Sequence, residues 1–147
     1  DCAPLEMTGL LMLLIANLQR ESRMTSMHGR KLPWVQRNAI AIARAMINEN
    51  YRQELSLRVL ADGVHLNPNY FHRLFTAACG ITPLQYLTEV RISHAKYELL
   101  NTDRSVTEIA ELCGFSTYNY FCAVFRKRCG MSPRDFRKKA NNYYDTK

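Results

Sequence analysis

The stretch NYFHRLFTAACGITP, residues 69–83, returns 50 positions later (Phe71 to Phe121) as NYFCAVFRKRCGMSP, residues 119–133. Each copy punctuates itself as a helix. In the first, Asn67 offers an N-cap oxygen and Pro68 a pre-set N1 residue, Gly80 stops the helix, and Thr82-Pro83 opens the next one. In the second, Ser116 is expected to cap, Gly130 to stop, and Ser132-Pro133 to open again. Upstream the match shifts: Ala61 pairs with Ala110, 49 positions on, so the second turn is one residue longer. Two copies of one pattern describe two similar subdomains, too few for a solenoid.

In front of each repeated helix lies a short one. Leu57, Leu60, Ala61 and Val64 share one face in the first copy, within a helix expected over 55–64. A second short helix opens near Ser105 and ends near Leu112. Short helix, tight turn and longer helix make a helix-turn-helix, whose second helix enters the DNA major groove. The motifs span 57–78 and 106–129. The turns read GVHLN (63–67) and LCGFS (112–116), with Leu66 and Phe115 as the apolar plugs that set the angle between the two helices. Gly114 suits a turn position of positive φ, and His65 takes the aligned place in the first copy.

After the polar segment that ends at residue 33, the remaining patterns are helical as well. No segment alternates apolar and polar residues as a half-buried strand would. Ile40, Ala43 and Ile47 mark the apolar face of a helix over 34–51, and a long helix from Pro83 to about Asn101 links the two motifs. At 1.5 Å per residue that linker spans roughly 28 Å. Successive major grooves on one face of DNA lie about 34 Å apart, so a rigid linker of this length suits two recognition helices in adjacent grooves. Residues 4–20 read as an amphipathic helix with Leu11, Leu14 and Leu18 on one seam. The segment around it, 1–22, is expected to be the end of a sensor or dimerisation domain, and 23–33 a linker. A DNA-binding domain then covers 34–140, and 141–147 forms a polar tail. The fold class is all-α: two helix-turn-helix subdomains joined by a long linker helix and preceded by a separate amphipathic helix.

The periodicity sorts the side chains. Phe71, Leu74, Phe75 and Ala78 face a core, and so do Phe121, Val124 and Phe125. Asn69, His72, Arg73 and Thr76 lie opposite in the first recognition helix. Arg pairs with guanine O6/N7 and Asn with adenine N6/N7, so Asn69, His72 and Arg73 are candidates for base contacts. In the second helix the candidates are Thr117, Tyr118, Asn119 and Cys122. Arg126, Lys127, Arg128, Arg137 and Lys138 are suited to phosphates, Lys139 standing beside them.

Charge supports this assignment. Twenty Lys and Arg oppose 13 Asp and Glu, for a net charge of +7, and residues 126–147 alone carry eight basic side chains against Asp135 and Asp145. Such an excess favours an anionic partner, nucleic acid before a membrane surface. The five cysteines, Cys2, Cys79, Cys113, Cys122 and Cys129, contain no C-x-x-C pair, so neither a disulfide framework nor a zinc site is indicated, and reduced thiols are expected. The longest apolar run, 10–16, is far short of the roughly 20 residues that cross a bilayer, and no basic leader precedes it. Asp1 is not an initiator Met, which fits a fragment of a longer chain. His28, His65, His72 and His94 show no metal spacing, and no Ser/His/Asp or paired-carboxylate constellation stands out. The expectation is therefore a cytoplasmic, nucleoid-associated protein with no enzymatic activity, no cofactor and no metal.

These residues resemble the AraC/XylS family of transcription regulators. The resemblance rests on Leu60-Ala61, Asn69 to Phe75, Gly80-Ile81-Thr82-Pro83 and Tyr86, then Arg91, Ala95 and Leu99-Leu100. It closes on Ile109-Ala110, Gly114-Phe115-Ser116, Asn119-Tyr120-Phe121, Phe125-Arg126-Lys127 and Gly130-Met131-Ser132-Pro133, and covers roughly residues 34–139. It implies a seven-helix DNA-binding domain, binding at bacterial promoters and, most often, activation through contact with RNA polymerase. It also implies base readout by Asn69, His72 and Arg73, then Asn119 and Ala123. Ala123 departs from the pattern, which usually holds a polar or basic residue there. DNA-repair proteins that carry a similar module need a metal-binding cysteine cluster that these five cysteines do not form. In such families a small-molecule effector acts through a separate domain absent from this chain. Residues 5–18 are the expected surface for a homodimer.

Overall fold

The computed structural model describes residues 33–144, with side chains described as far as Lys139. Every regular element among them is a helix: α1 (Trp34–Asn50), α2 (Leu57–Gly63), α3 (Pro68–Cys79), α4 (Pro83–Asn101), α5 (Val106–Leu112), α6 (Tyr118–Cys129) and α7 (Pro133–Tyr144). The helix expected over 4–20 and the surface at 5–18 lie outside the described residues.

Local chemistry accounts for the boundaries. The Ser56 hydroxyl accepts the Val59 N–H at 3.2 Å, so α2 starts at Leu57 and Leu55 stays outside it, buried in the core instead. Thr82 with Gln85, and Ser105 with Glu108, close reciprocal capping boxes at the starts of α4 and α5. The Glu108 carboxyl sits below its ordinary range because Ser105 donates to it. The linker helix α4 keeps the expected limits, Pro83 and Asn101. At the far end, α7 continues to Tyr144. The segment assigned to a tail from residue 141 thus begins as helix, since nothing in NNYY breaks one as Gly or Pro would.

The repeat holds in three dimensions. Both turns are Schellman motifs: the Leu66 N–H reaches Ala61 O and the Phe115 N–H reaches Ala110 O, each at 3.0 Å. The left-handed residue of each is His65 at φ 56° and Gly114 at φ 81°. Phe71, Phe75, Phe121 and Phe125 are completely buried. Phe71 meets Phe75 edge-on at 5.6 Å, and Phe121 meets Phe125 at the same distance. A third ring completes each set, Tyr86 against Phe75 and Phe136 against Phe125, again 50 positions apart. Burying a side chain of this size contributes about 1.5–3 kcal/mol, and a well-oriented aromatic pair roughly 0.5–1.5 more.

These rings define two cores. The first gathers Ile40, Ala43, Ile47 and Tyr51 with α2, α3 and the first half of α4, through Tyr86, Leu87 and Val90. The second gathers Ile92, Ala95 and Leu99 from the second half of α4 with α5 and α6, and Phe136 packs against it from α7. One helix therefore serves both cores, and the boundary falls between Val90 and Ile92.

Candidate nucleic-acid interface

In α3 the Asn67 side chain accepts the Asn69 and Tyr70 N–H groups at 2.9 and 3.4 Å, and Pro68 needs no partner for its nitrogen. At the other end Gly80, at φ 73°, donates to Thr76 O. Phe71, Leu74 and Phe75 fix this helix to its core, which leaves Asn69 and Arg73 exposed and His72 half-exposed on the far side. These three predicted base-contact residues thus share one solvent face. The neighbouring Thr76 hydroxyl donates to His72 O at 2.7 Å and serves the helix itself. Tyr70 projects at the edge, its hydroxyl accepting from Gln36 of α1 at 2.9 Å.

α6 repeats the arrangement with one correction. Its N-cap is Thr117, not Ser116: the Thr117 hydroxyl accepts the Tyr120 N–H at 3.2 Å. The longer second turn moves the cap one residue on, so Thr117 occupies the place of Asn67. Of the four predicted base-contact residues here, Thr117 therefore holds the helix start. Asn119 is exposed. Tyr118 is exposed and Cys122 half-buried, and the two are hydrogen-bonded to each other, which holds the Tyr118 hydroxyl above its ordinary range. Ala123, one turn beyond Asn119, is exposed and offers only a methyl group.

The predicted phosphate-contact residues divide. Arg126, Lys127 and Arg128 occupy the last turn of α6, where cations complement the carbonyl end of the helix. Arg126 and Lys127 are exposed, while Arg128 meets Glu89 of α4 at 2.9 Å. Lys138 is exposed on α7. Arg137 is committed elsewhere: its Nε donates to Leu99 O at 3.2 Å and its Nη2 to Arg104 O at 2.6 Å. It closes the end of α4 and fastens α7 to the loop that follows. No group of three or more His, Cys, Asp or Glu side chains suited to a metal ion occurs among the described residues. No helix among them is long and apolar enough to cross a membrane.

Arg91 and His94 of α4 gained no role in the sequence reading. Arg91 donates from Nε to Tyr51 O at 2.7 Å and from Nη2 to Gln53 O at 2.8 Å. His94 stacks on the Tyr51 ring, with centroids 4.0 Å apart and planes 3° from parallel. Their partners lie about 40 residues upstream in sequence, beyond the reach of helical periodicity.

Two units of short helix, turn and longer helix, each closed by a Schellman turn on its own aromatic core, define a helix-turn-helix domain. A helix-turn-helix domain family matches residues 60–139. The chain is 40% identical over 92 residues to the melibiose operon regulatory protein of Escherichia coli (strain K12), covering 63% of this chain and 30% of that protein. It is 38% identical over 93 residues to the transcriptional activator RhaS of Yersinia pestis, covering 63% and 34%. Among solved structures, the C-terminal domain of AraT, a response regulator from Geobacillus stearothermophilus, superposes with a TM-score of 0.66 at 32% identity, covering 75% of this chain and 88% of that one. The DNA-binding domain of AdpA, solved in complex with a target DNA, gives 0.68 at 29% identity, covering 71% and 94%. The chain belongs to the AraC-type helix-turn-helix family, whose members are transcription regulators and not enzymes. It spans about a third of the length of these curated relatives.

Proposed function

We propose that this domain binds double-stranded DNA with α3 and α6 in two adjacent major-groove segments, and that the protein is an activator at bacterial promoters that touches RNA polymerase. The observation that carries the reading is the repeated placement of α3 and α6. Each buries its phenylalanines and turns polar side chains to solvent: Asn69, His72 and Arg73 in one, Asn119 in the other. Activation rests on similarity to RhaS, named a transcriptional activator. The full-length protein pairs through residues 5–18, and its effector acts on a domain outside this chain.

The two helices contribute unequally. α3 presents a guanidinium, an imidazole and an amide together, whereas α6 presents one amide beside a methyl group and a Tyr–Cys pair. α3 therefore supplies most of the base discrimination, and α6 adds phosphate contacts through Arg126 and Lys127 and reads DNA shape. Selection from a randomised duplex library tests this. Arg73→Ala should cost roughly 1–3 kcal/mol on the selected site and relax one base pair, whereas Lys127→Ala should weaken all sequences alike and flatten the salt dependence. A selected sequence unchanged by Arg73→Ala but altered by Asn119→Ala would reverse the assignment.

A further inference from the structure

The two cores share α4, and a shared helix alone does not hold two bodies at a fixed angle. Helices bend, and each half of α4 is gripped by a different core. Arg91 sits at the boundary, between Val90 of the first core and Ile92 of the second. Its guanidinium holds the carbonyls of Tyr51 and Gln53, in the segment that leaves α1. The same guanidinium lies 6.0 Å from the centroid of Phe115, the buried plug of the second helix-turn-helix. Beside it, Gly114 packs on the same backbone: a Cβ there would stand 2.9 Å from Tyr51 O and 2.8 Å from Arg52 O. The Tyr51–His94 stack crosses the boundary too, from a residue of the first core to the second half of α4. The Arg128–Glu89 ion pair also spans it, but both side chains retain solvent exposure, and such pairs contribute little.

We infer that Arg91 is a positioning residue for DNA recognition: it clamps the segment at residues 51–53 against the second helix-turn-helix, and so sets the separation of half-sites that the protein accepts. The inference rests on the reading of α3 and α6 as paired recognition helices. Two planar, charge-assisted hydrogen bonds to neighbouring carbonyl groups fix an orientation that a single donor would not. With the clamp intact, the second helix arrives in its groove already aligned, and only one spacing avoids distorting protein or DNA. With the clamp removed, the ordering is deferred to the moment of binding, and neighbouring spacings become nearly equivalent.

Two measurements on the full chain test it. The first needs no DNA. Residual dipolar couplings of the backbone amides in α2–α3 and in α5–α6 should fit one alignment tensor in the wild type. In Arg91→Gln each unit should still fit internally, but the two tensors should differ in magnitude, and Arg91→Lys should fall between. A single unchanged tensor in Arg91→Gln overturns the clamp. The second uses the duplex that the wild type selects from a randomised library, with one or two base pairs inserted or removed between half-sites. Arg91→Gln should lose roughly tenfold at the selected spacing, stay within about twofold on a duplex carrying the α3 half-site alone, and show a flattened spacing preference. Spacing preference as sharp as in the wild type overturns the proposal, and so does an equal loss on the half-site. A wild type with a single tensor and no spacing preference would instead refute the paired-helix reading, and the role in half-site spacing would fall with it.

Discussion

Replacing Gly114 with alanine separates two costs that usually travel together. The first is conformational. Gly114 lies at φ 81°, and an L-residue in the left-handed region gives up about 1–2 kcal/mol. The second is steric. The new Cβ would meet three backbone atoms of Tyr51 and Arg52 at 2.8–3.0 Å, closer than carbon sits against oxygen or carbon without displacement. Backbone does not swing aside as a side-chain end does, so the overpacking cost of roughly 1–3 kcal/mol applies. Gly114→Ala should therefore destabilise the domain by about 2–5 kcal/mol, a large share of the roughly 5–15 kcal/mol typical of a folded domain. Gly130 provides the control. It has φ 75°, but a Cβ added there would meet nothing within 4 Å, so Gly130→Ala should cost only the conformational part. In urea, with m about 2 kcal/mol/M, the Gly114 variant should show its midpoint lowered by roughly 1–2.5 M and the Gly130 variant by roughly 0.5–1 M. Equal midpoints for the two variants would refute the packing of this turn on residues 51–52.

Three further outcomes are expected. Thr117→Ala and Asn67→Ala should each cost about 1 kcal/mol in urea denaturation and Ser116→Ala far less, whereas a larger loss at Ser116 would return the cap to that residue. Burial first, and then Arg52, hold the His94 imidazole below its ordinary value of 6.5, with Glu98 acting in the opposite sense. The unfolded chain then takes up a proton that the folded one resists, so stability is full above that value and falls as the pH drops beneath it; this slope should shrink in His94→Gln, and an undiminished slope would assign it to other groups. Burial also pushes the Cys113 thiol up to about 12, so a thiol reagent followed by mass spectrometry should modify half-exposed Cys122 well before Cys113, and equal rates would contradict the buried position.

Much of this architecture was legible because its causes are short-range. Asn67-Pro68, Thr82-Pro83 and Ser132-Pro133 name helix starts through atoms two or three residues away, and Gly80 and Gly130 name the stops. The core faces of α3 and α6 follow from their period, as Phe71, Phe75, Phe121 and Phe125 show. The placement of the cap at Thr117 was present in the register itself. Asn69 pairs with Asn119, so the partner of Asn67 is Thr117, but the adjacent Ser116 is an equally good capping residue by type. Arg137 could not be read in this way. It stands in the repeat where Leu87 is buried in the first core, and its real partners, Leu99 O and Arg104 O, are over 30 residues distant. In sequence it looked like one more cation in a basic run. Arg91 carries the same lesson: its charge is visible in sequence, but the carbonyls that engage it belong to a turn that no pattern around residue 91 foretells.

The two Schellman turns also differ in the mutational freedom they leave. His65 is exposed to solvent, and the turn holds its backbone at φ 56°, a conformation that histidine meets. Asparagine, aspartate and glycine would meet it too, so this position has several neutral neighbours in sequence space. Position 114 answers to two masters: its own turn requires left-handed φ, and the carbonyls of residues 51 and 52 leave no room for any side chain. One half of a duplicated motif is thus free to drift where the other is held to a single residue, and the divergence of the two copies is written by their contacts as much as by their ancestry.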